Sequence, residues 1–315
     1  MTVGDSGGES AAIVAIGEAM VEFNAVRSDS PDVFVRGFGG DTSNMAIAAA
    51  RLGARTAYVS RVGDDAFGRA LLRLWADEGV DTRGVATDPA ASTGVYFVTH
   101  GPAGHEFSYL RAGSAASKMD AVSLPLPIIR GARLLHVSGI SEAISASACD
   151  AVFAAMEAAK AAGVRISFDP NLRLKLWPLA RARAVIAATA AQCDWFLPSL
   201  DDARTLSGLV DAHDILHWCH LLGAPVVVLK CGPEGVIVSD GRSVERVGGH
   251  VVATVDATGA GDCFDGAFAA RIVAGDDLVS AVRYANAAAA VATTGFGAVS
   301  PLPRDADVRA LLANP

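Results

Sequence analysis

The sequence predicts an α/β fold of three layers, in which helices cover both faces of a mostly parallel central sheet and a small antiparallel β lid lies outside it. Short apolar runs alternate with helical hydrophobic patterns along most of the chain, as in parallel sheets with crossover helices. The run 226–229 is apolar throughout, as expected of a strand buried on both faces. Two stretches without helical patterns, about 20–38 and 92–112, interrupt this order.

The regular elements follow from their hydrophobic periods. Strands are predicted where short apolar runs lie between turn residues, at 13–17, 56–61, 134–137, 164–168, 195–197 and 226–229. Helices are predicted where apolar residues recur every three to four positions, at 42–52, from Phe67 to Gly79, at 146–162 and at 180–191. The first helix is expected to begin with a cap from Asp41 or Thr42 and to end at Gly53.

The lid is predicted from the alternation of apolar and polar residues in the two exceptional stretches. Apolar side chains recur at every second position, as at Val95 and Phe97, which is typical of a half-buried strand. No repeat, low-complexity linker or shift of composition divides the chain. We therefore expect a single α/β domain, 1–315, with a discontinuous lid formed by about 20–38 and 92–112.

Composition and charge limit the classes of partner. The chain has 315 residues, of which 51% are hydrophobic and 19% charged, so it can bury a large core. Lys and Arg number 26 against 34 Asp and Glu, which gives a net charge of −8. An acidic protein offers no broad basic surface, so we expect neither a nucleic-acid partner nor a membrane partner.

The N-terminal residues and the cysteines indicate a cytoplasmic protein. Residues 1–10 are polar and lack the basic and apolar regions of a secretory signal. The uncharged stretch 284–303 is rich in small residues and predicts a buried helix followed by a loop. The five cysteines lie far apart and are odd in number, which favours reduced thiols over a disulfide framework.

The strongest local motif is Asp-Ala-Thr-Gly-Ala-Gly-Asp at 256–262. Gly259, Ala260 and Gly261 allow a tight turn with parallel N–H groups, and a helix begins at once with Asp262 in its first turn. Such a turn can hold an anion, and a carboxylate there can accept a proton from an attacking hydroxyl. A glycine turn with an aspartate helix cap explains the bare motif equally well.

Two other nucleotide-binding motifs are excluded. Phe264 stands where a dinucleotide fingerprint needs its third glycine, and the segment lies far from the first strand. A P-loop needs a Gly-Lys pair, and the chain contains none. A phosphate-handling site in this chain must therefore be built differently.

A second glycine motif opens the first predicted helix. Gly39 and Gly40 allow a small ligand to approach the backbone, and Asp41 and Asn44 can bond its hydroxyl groups. A loop followed by a helix cap is an equal alternative for this segment taken alone.

A histidine cluster, His213, His217 and His220, suggests a metal site, but the surrounding pattern favours a structural interpretation. Two histidines four residues apart share a helix face and can bind zinc. No third ligand follows at a recognised spacing, and Leu216 and Leu221 are expected to face inward on an ordinary amphipathic helix.

Taken together, the two glycine motifs resemble the ribokinase (PfkB-type) family of sugar kinases. The first family signature is similar to Gly39, Gly40, Asn44, Ala46, Gly53 and Gly63, and the second to 256–269. The resemblance covers the chain from Gly17 to about Gly297 and implies a ribokinase-like α/β/α fold. Ser199 and Asp202 stand where many members have an Asn-x-x-Glu motif.

The resemblance implies the following roles. Asp262 is the base that deprotonates the sugar hydroxyl, and the backbone of Gly259, Ala260 and Gly261 holds the transferring phosphate. ATP is expected near Ser199, Lys230, Gly232, Gly235 and Asn286. Magnesium is expected on the phosphates, with Asp202 acting indirectly, and a monovalent cation is compatible with the family. We also expect a homo-oligomer formed through the lid.

Within the family, several segments resemble 2-keto-3-deoxygluconate kinases. The main one is 109–115, which contains Tyr109, Arg111 and Ser114. A sugar acid needs a cation, and the guanidinium groups of Arg111 and Arg173 suit a carboxylate. The implied substrate-binding residues are Gly39, Gly40, Asp41, Asn44, Tyr96, Tyr109, Arg111, Ile140 and Arg173.

Two alternatives remain open at this stage. The segment 169–173 also resembles fructokinases, so a neutral-sugar kinase is the first alternative. A non-catalytic sugar-binding protein on the same scaffold is the second, and the retained Asp262, Gly259 and Gly261 argue against it. Surface ion pairing is the default role of the two arginines when the resemblance is set aside.

Overall fold

The structure is a computed structural model that describes residues 11–26, 33–101 and 104–313. Its strands are β1 Ile13–Ile16, β2 Met20–Ala25, β3 Phe34–Gly39, β4 Thr56–Gly63, β5 Val85–Asp88, β6 Val95–Gly101, β7 Gly104–Leu110, β8 Leu134–Ser138, β9 Arg165–Asp169, β10 Trp195–Phe196, β11 Val226–Lys230, β12 Val236–Ser239 and β13 Val244–Val247. Its helices are α1 Asp41–Arg51, α2 Ala66–Asp77, α3 Leu126–Arg130, α4 Gly139–Ala143, α5 Ala146–Ala161, α6 Leu179–Ala190, α7 Leu200–Ser207, α8 Ala212–Leu221, α9 Ala260–Ala274, α10 Leu278–Ala292 and α11 Asp305–Ala313.

The central sheet has nine strands in the order β13-β12-β11-β10-β9-β8-β1-β4-β5. All neighbours from β11 to β5 are parallel, whereas β12 and β13 add an antiparallel edge. The predicted mostly parallel sheet is confirmed, with β5, β12 and β13 as strands that the prediction did not name. The carboxyl ends of the parallel strands lie at one edge of the sheet, where ligands of open α/β folds bind.

Two hydrophobic cores lie on the two faces of this sheet, as in a three-layer fold. One core contains buried residues of α1, α2, α9 and α10, and the other contains buried residues of α5, α6, α7 and α8. The small-residue stretch predicted as a buried helix forms most of α10 and the loop after it. None of the helices in the described residues is long and apolar enough to cross a membrane.

The lid forms a separate four-stranded sheet in the order β3-β2-β6-β7. Its outer pairs are antiparallel, but β2 and β6 at its centre are parallel. The predicted purely antiparallel lid is therefore wrong in this pair. The reason is that β2 follows β1 and β6 follows β5, and both of these parallel strands end at the same edge of the central sheet. The division into one domain with a discontinuous lid stays a prediction.

Helices α1 and α9 pack unusually close together at Gly266. A Cβ atom at this position would lie 2.4 Å from the carbonyl oxygen of Met45 and 2.8 Å from the Cβ of Ala48. Any side chain there would push the two helices apart. This contact sets the distance between the N-terminal turns of α1 and α9, which carry the two glycine motifs.

Glu142 is a buried acidic residue in α4, a helix that takes no part in the contact between α1 and α9 at Gly266. Its carboxyl has no solvent-exposed surface and accepts a hydrogen bond from the hydroxyl of Thr189. The other oxygen, Oε2, has no hydrogen-bond partner in the described part of the chain. Burial raises the pKa of Glu142 to about 8, although the Thr189 bond acts in the opposite direction. The folded protein therefore holds a proton on this carboxyl at neutral pH.

Glu142→Gln is expected to weaken the pH dependence of the free energy of unfolding between about pH 4.5 and pH 8. The unfolded chain loses the Glu142 proton near its ordinary pKa of 4.5, whereas the folded chain keeps it to about 8. The wild-type free energy of unfolding should thus fall as pH rises through this window, by on the order of 1 kcal/mol per pH unit from this group. Urea unfolding at pH 6 and pH 8 measures the slope. The control is Glu157→Gln at an exposed position of α5, and equal slopes in wild type and Glu142→Gln would contradict the expectation.

Candidate active site

Residues of both glycine motifs meet at the carboxyl edge of the central sheet. Asn44 in the first turns of α1 donates a hydrogen bond through Nδ2 to Oδ2 of Asp262 in the first turn of α9, at 2.8 Å. The close packing at Gly266 permits this approach, because the bond joins the starts of the two packed helices. The structure thus brings together the two segments that the sequence singled out separately.

The N-terminal turn of α9 has the geometry of an anion-binding site. Gly259 precedes the helix with φ 76°, a left-handed conformation that favours glycine. The N–H of Ala260 bonds the carbonyl of Ala257, while the N–H groups of Gly261 and Asp262 have no hydrogen-bond acceptor among the described residues. These donors and the positive end of the helix dipole can receive a negatively charged oxygen.

The carboxyl of Asp262 is suited to exchange a proton near neutral pH. Burial and the nearby Asp41 carboxylate raise its pKa to about 7, against the opposing effects of the Asn44 hydrogen bond and the charge of Lys230. A base titrating in this range is neither permanently protonated nor too weak to accept a proton. Because Asn44 occupies Oδ2, the other oxygen, Oδ1, is the one available to a substrate hydroxyl.

Asp41 anchors the first motif rather than capping α1. The N-cap of α1 is Gly40, with φ 132° and no side-chain cap, so the predicted cap by Asp41 or Thr42 is wrong. A Cβ at Gly40 would lie 2.5 Å from the carbonyl oxygen of Glu18, so this loop has room only for glycine. Asp41 lies one residue too late to bond the N2 or N3 amide as a cap does.

The Asp41 carboxylate instead accepts hydrogen bonds from three directions. They come from the Thr42 N–H at 2.8 Å, from the hydroxyl of Ser138 and from Nδ2 of Asn171 at 3.2 Å. Asn171 has φ 33°, an uncommon backbone conformation for a residue other than glycine. Burial raises the pKa of Asp41 in spite of the bonds from Ser138 and Thr42. The cluster presents polar groups from α1, β8 and the segment after β9 to one cleft.

The lid contributes two of the predicted tyrosines to the same region. Tyr96 is buried, its hydroxyl donates to Oε2 of Glu22 at 2.5 Å, and a Cβ at Gly39 would lie 2.4 Å from that hydroxyl oxygen. Tyr109 stacks on Tyr96 with ring centroids 5.7 Å apart and is 42% exposed. Burial and the nearby Glu22 raise the pKa of Tyr96, and the charge of Asp262 makes a smaller contribution in the same direction.

The two predicted arginines differ in their surroundings. Arg111 forms an ion pair with the wholly buried carboxylate of Glu18 and also lies over the ring of Tyr109, 5.9 Å from its centroid. Arg173 is exposed, and its Nη1 donates to the carbonyl of Leu172 at 2.9 Å. No carboxylate in the described part of the chain lies within ion-pair distance of Arg173, although its charge is a minor cause that lowers the pKa of Asp41.

Ile140 and the predicted nucleotide-side residues have structural contacts that leave their proposed roles open. Ile140 is half-buried in α4, and its N–H donates to Oγ of Ser138 at 3.1 Å. Ser199 caps α7 by accepting the N–H of Asp202 at 3.1 Å. Gly232 and Gly235 have φ 59° and 95° in the turn between β11 and β12. Asn286 donates to the carbonyl of Gly248 at 2.7 Å. The roles of these residues toward a nucleotide stay predictions.

The side chain of Lys230 is more buried than that of a phosphate-binding lysine on a protein surface. Its Nζ donates to Oδ2 of Asp169 at 2.8 Å and to both oxygens of Asp265 at 3.0 and 3.3 Å. The side chain is only 12% exposed. Lys230 ends β11, Asp169 ends β9, and Asp265 lies in α9, so this charge cluster connects the sheet edge to the helix that carries Asp262.

The described residues offer few side chains that could coordinate a metal ion. No group of three or more His, Cys, Asp or Glu side chains among the described residues is arranged to hold an ion. Asp202 accepts the N–H of Leu172 at Oδ2, at 3.1 Å, which leaves Oδ1 for a water molecule or a phosphate-bound ion. Residues of this kind fit a magnesium ion held mainly by phosphate oxygens, which is how magnesium often binds in kinases.

The histidine cluster lies apart from this cleft, on α8. His213 and His217 are exposed, whereas the ring of His220 contacts the carbonyl of Ala224 at 2.9 Å and Oγ of Ser239 at 2.8 Å. Leu216 is buried as predicted, but Leu221 is 72% exposed, because it lies four residues after His217 on the exposed face of the helix. The five cysteines are free, and four of them are buried.

Five residues of the site were not predicted from the sequence: Glu18, Ser138, Asp169, Asn171 and Asp265. Asp265 left a usable signal, because it is an acid within the otherwise apolar or small run 263–270 of a buried helix. Glu18 and Asn171 follow strands β1 and β9, and Ser138 and Asp169 end strands β8 and β9, but polar residues at strand ends are too common to be distinctive.

A buried carboxyl beside unbonded N–H groups at a helix start, at the carboxyl edge of a parallel sheet and next to a separate lid, is an arrangement suited to phosphoryl transfer, the reaction of small-molecule kinases. The family model described as pfkB family carbohydrate kinase matches residues 10–305, so the chain belongs to this family of carbohydrate kinases. It is 36% identical to a 2-dehydro-3-deoxygluconokinase of Thermoproteus tenax over 94% of this chain and 93% of the relative. It is 35% identical to a fructokinase-1 of Zea mays over 95% of this chain and 97% of the relative.

Solved structures give the same family. A putative ribokinase II from E. coli, in complex with ATP and Mg²⁺, has a TM-score of 0.89 and 29% identity, covering 97% of this chain and 100% of its own. A fructokinase from Vibrio cholerae, with fructose, ADP and calcium, has a TM-score of 0.86 and 31% identity, covering 96% and 99%. The ribokinase-like fold predicted from the motifs is thereby confirmed.

Proposed function

We propose that this carbohydrate kinase transfers a phosphoryl group from ATP to a sugar acid of the 2-keto-3-deoxygluconate type. The observation that carries the proposal is Arg173, an exposed guanidinium beside the Asp41 cluster with no carboxylate of the described residues in ion-pair distance. A sugar carboxylate would supply the missing counter-charge with a charge-assisted pair of hydrogen bonds. The similarity to the Thermoproteus tenax 2-dehydro-3-deoxygluconokinase supports the same substrate class.

The proposed chemistry assigns the proton to the side chain of Asp262 and the phosphoryl group to the backbone N–H groups of the same N-terminal turn of α9. Oδ1 of Asp262 accepts the proton of the sugar hydroxyl, whose oxygen bonds to the γ-phosphorus as the bond to the bridging oxygen breaks and ADP leaves. The N–H groups of Gly261 and Asp262 face the developing negative charge. Magnesium ATP, when bound, supplies the phosphoryl group and neutralises part of its charge.

A neutral sugar such as fructose is the second candidate, and one contact favours it. The guanidinium of Arg111 is already paired with the buried Glu18, so that of the two predicted arginines Arg173 alone has no ion-pair partner among the described residues. The fructokinases of Zea mays and Vibrio cholerae are about as similar to this chain as the sugar-acid kinase is. The two substrates therefore have to be compared directly.

We further propose a homo-oligomer that forms through the lid. Its strands expose several large apolar side chains, namely Phe34, Val35, Phe107, Tyr109 and Leu110. Exposed apolar side chains of this size, gathered on one small sheet, are typical of a protein interface. Sedimentation at micromolar concentration measures the assembly, and a monomer under these conditions would contradict the proposal.

Arg173→Ala is expected to lower kcat/KM for 2-keto-3-deoxygluconate about ten- to a hundredfold. The loss corresponds to about 1.5 to 3 kcal/mol for a charge-assisted bond pair to the carboxylate. For fructose the same change should stay within about threefold, since a neutral sugar leaves no charge unpaired. Steady-state kinetics of both substrates, at saturating ATP, measure the difference.

The matched control is Lys175→Ala, which removes an exposed cation two residues away. It should leave the ratio of the two kcat/KM values unchanged. A wild-type preference for fructose, or an equal loss of both substrates in Arg173→Ala, would reject the sugar acid and leave the neutral-sugar kinase.

A further inference from the structure

The charge cluster of Asp169, Lys230 and Asp265 is more deeply buried than an ordinary surface ion pair. The side chain of Asp265 is 1% exposed, that of Asp169 is 7% exposed and that of Lys230 is 12% exposed. One ammonium group lies between two carboxyl groups, with its three donor distances between 2.8 and 3.3 Å. Burial at this depth makes a second uncompensated negative charge costly.

The pKa values of the two carboxyl groups are shifted in opposite directions. Burial raises the pKa of both, but at Asp169 the charge of Lys230 and hydrogen bonds with Asp265, Lys230 and Asn171 outweigh burial, so that its pKa is lowered. At Asp265 burial prevails over the attraction of Lys230, and the Asp169 charge acts in the same direction, so that its pKa is raised well above its usual value. Asp265 is therefore the carboxyl of the cluster that takes up a proton more readily.

The cluster holds the ammonium group of Lys230 beside the start of α9. A Cβ atom built on Gly261 would lie 3.8 Å from Nζ of Lys230, which places the charge next to the turn with the unbonded N–H groups. Asp265 lies one turn further along the same helix than Gly261. A side chain from α9 itself therefore fixes where this cation lies relative to the N-terminal turn of α9.

We propose that Asp265 is a positioning residue that holds the Lys230 ammonium against the N-terminal turn of α9, where the phosphoryl group is transferred. The inference rests on the proposed phosphoryl transfer at this turn and adds a residue that acts through Lys230. With Asp265 in place, Lys230 contacts carboxyl oxygens on two sides and cannot swing toward Asp169 alone. A displacement of the cation by about 1 Å can reduce the rate up to about a hundredfold.

Two substitutions at Asp265 separate positioning from charge. Asp265→Asn keeps an acceptor for Lys230 and a donor for Asp169, the pattern of a protonated aspartic acid. We expect its kcat to stay within about threefold of wild type. Asp265→Ala removes both bonds, and its kcat should fall about ten- to a hundredfold while KM for the sugar changes less than about threefold. Cys263→Ala, a small truncation at a buried position of the same helix, is the control and should match wild type.

A second readout needs no turnover and uses the apoprotein. The lysines of the chain are Lys118, Lys160, Lys175 and Lys230, and the first three are exposed. In protein labelled with ¹³C at the lysine ε-carbon, NMR should show one resonance apart from the other three, and Lys230→Met assigns it. We expect this resonance to keep its position in Asp265→Asn and to move toward the exposed lysines in Asp265→Ala.

A failure of the Asp265 inference can be distinguished from a failure of the proposed function. Wild-type protein that phosphorylates no sugar would reject the function, and the apoprotein spectrum would still report on the contact between Asp265 and Lys230. Given an active wild type, full kcat in a folded Asp265→Ala would overturn the inference. Equal losses in Asp265→Asn and Asp265→Ala, or an unmoved Lys230 resonance in Asp265→Ala, would overturn it too.

Discussion

Asp262→Asn is expected to lower kcat by about 10² to 10⁴ while the protein remains folded. Asparagine keeps the size of the side chain, and its carbonyl oxygen can still accept the hydrogen bond from Asn44. It cannot accept a proton from a sugar hydroxyl, so the loss should appear in kcat rather than in the KM for the sugar. The control is Asp201→Asn on α7, whose carboxylate is 93% exposed. A variant with near wild-type kcat would remove Asp262 from the role of base.

The pH profile of the wild type gives a second test of the same residue. Burial and the nearby Asp41 raise the pKa of Asp262 to about 7, and the base works only when it is deprotonated. The kcat/KM for the sugar, measured at ATP well below its own KM, should therefore rise with pH between about 6 and 8 and level off above. A flat profile across this range would contradict the assignment.

Arg111→Ala is expected to lower the free energy of unfolding by about 3 to 5 kcal/mol. Arg111 is the ion-pair partner of Glu18, whose side chain has no exposed surface. Among the described residues, Glu18 otherwise accepts a side-chain hydrogen bond only from Ser114, at 2.6 Å. Burial raises the pKa of Glu18, and Arg111 is the main group that opposes this effect. Removing the arginine leaves a buried carboxylate without a counter-ion, which must then be neutralised at a cost in stability.

Adding Glu18→Gln to Arg111→Ala should restore a large part of this loss, because no charge then stays buried. Urea unfolding of the two single variants and the double variant measures the coupling. Arg83→Ala is the control, since it breaks an exposed pair with Asp81 and should cost at most about 1 kcal/mol. A loss below about 1 kcal/mol in Arg111→Ala would contradict the prediction. The expected loss also means that Arg173 is the better position for testing substrate charge.

The fold was largely predictable because its strands are short apolar runs between helical patterns. The run at β11 is a clear example, since it is buried on both faces and apolar at four successive positions. β13 was harder, because three of its four residues are exposed at the sheet edge and carry no hydrophobic pattern. The parallel pairing of β2 with β6 depends on the direction in which two distant chain segments leave the main sheet. Local periodicity does not contain that information.

The site was predictable where a backbone conformation demands glycine and less so where charges pair over long distances. The turn at Gly259 and the loop at Gly40 require their glycines, so the motifs marked both ends of the cleft. The ion pair of Glu18 with Arg111 joins residues that are far apart in the chain, and neither residue type reveals its partner. The sequence therefore suggested Arg111 as a ligand for substrate without showing that it already has a counter-ion.

The close approach of α1 and α9 at Gly266 has a consequence for the order of folding. The hydrogen bond from Asn44 to Asp262 spans 218 residues of sequence, and it forms only when these two helices dock. Closing so long a loop costs conformational entropy before any contact repays it, so such contacts form late and slowly. A nascent chain must therefore emerge almost completely before Asp262 and the loop that precedes α1 can meet. Catalytic competence should thus be one of the last properties that refolding protein regains, after its helices and most of its sheet have formed.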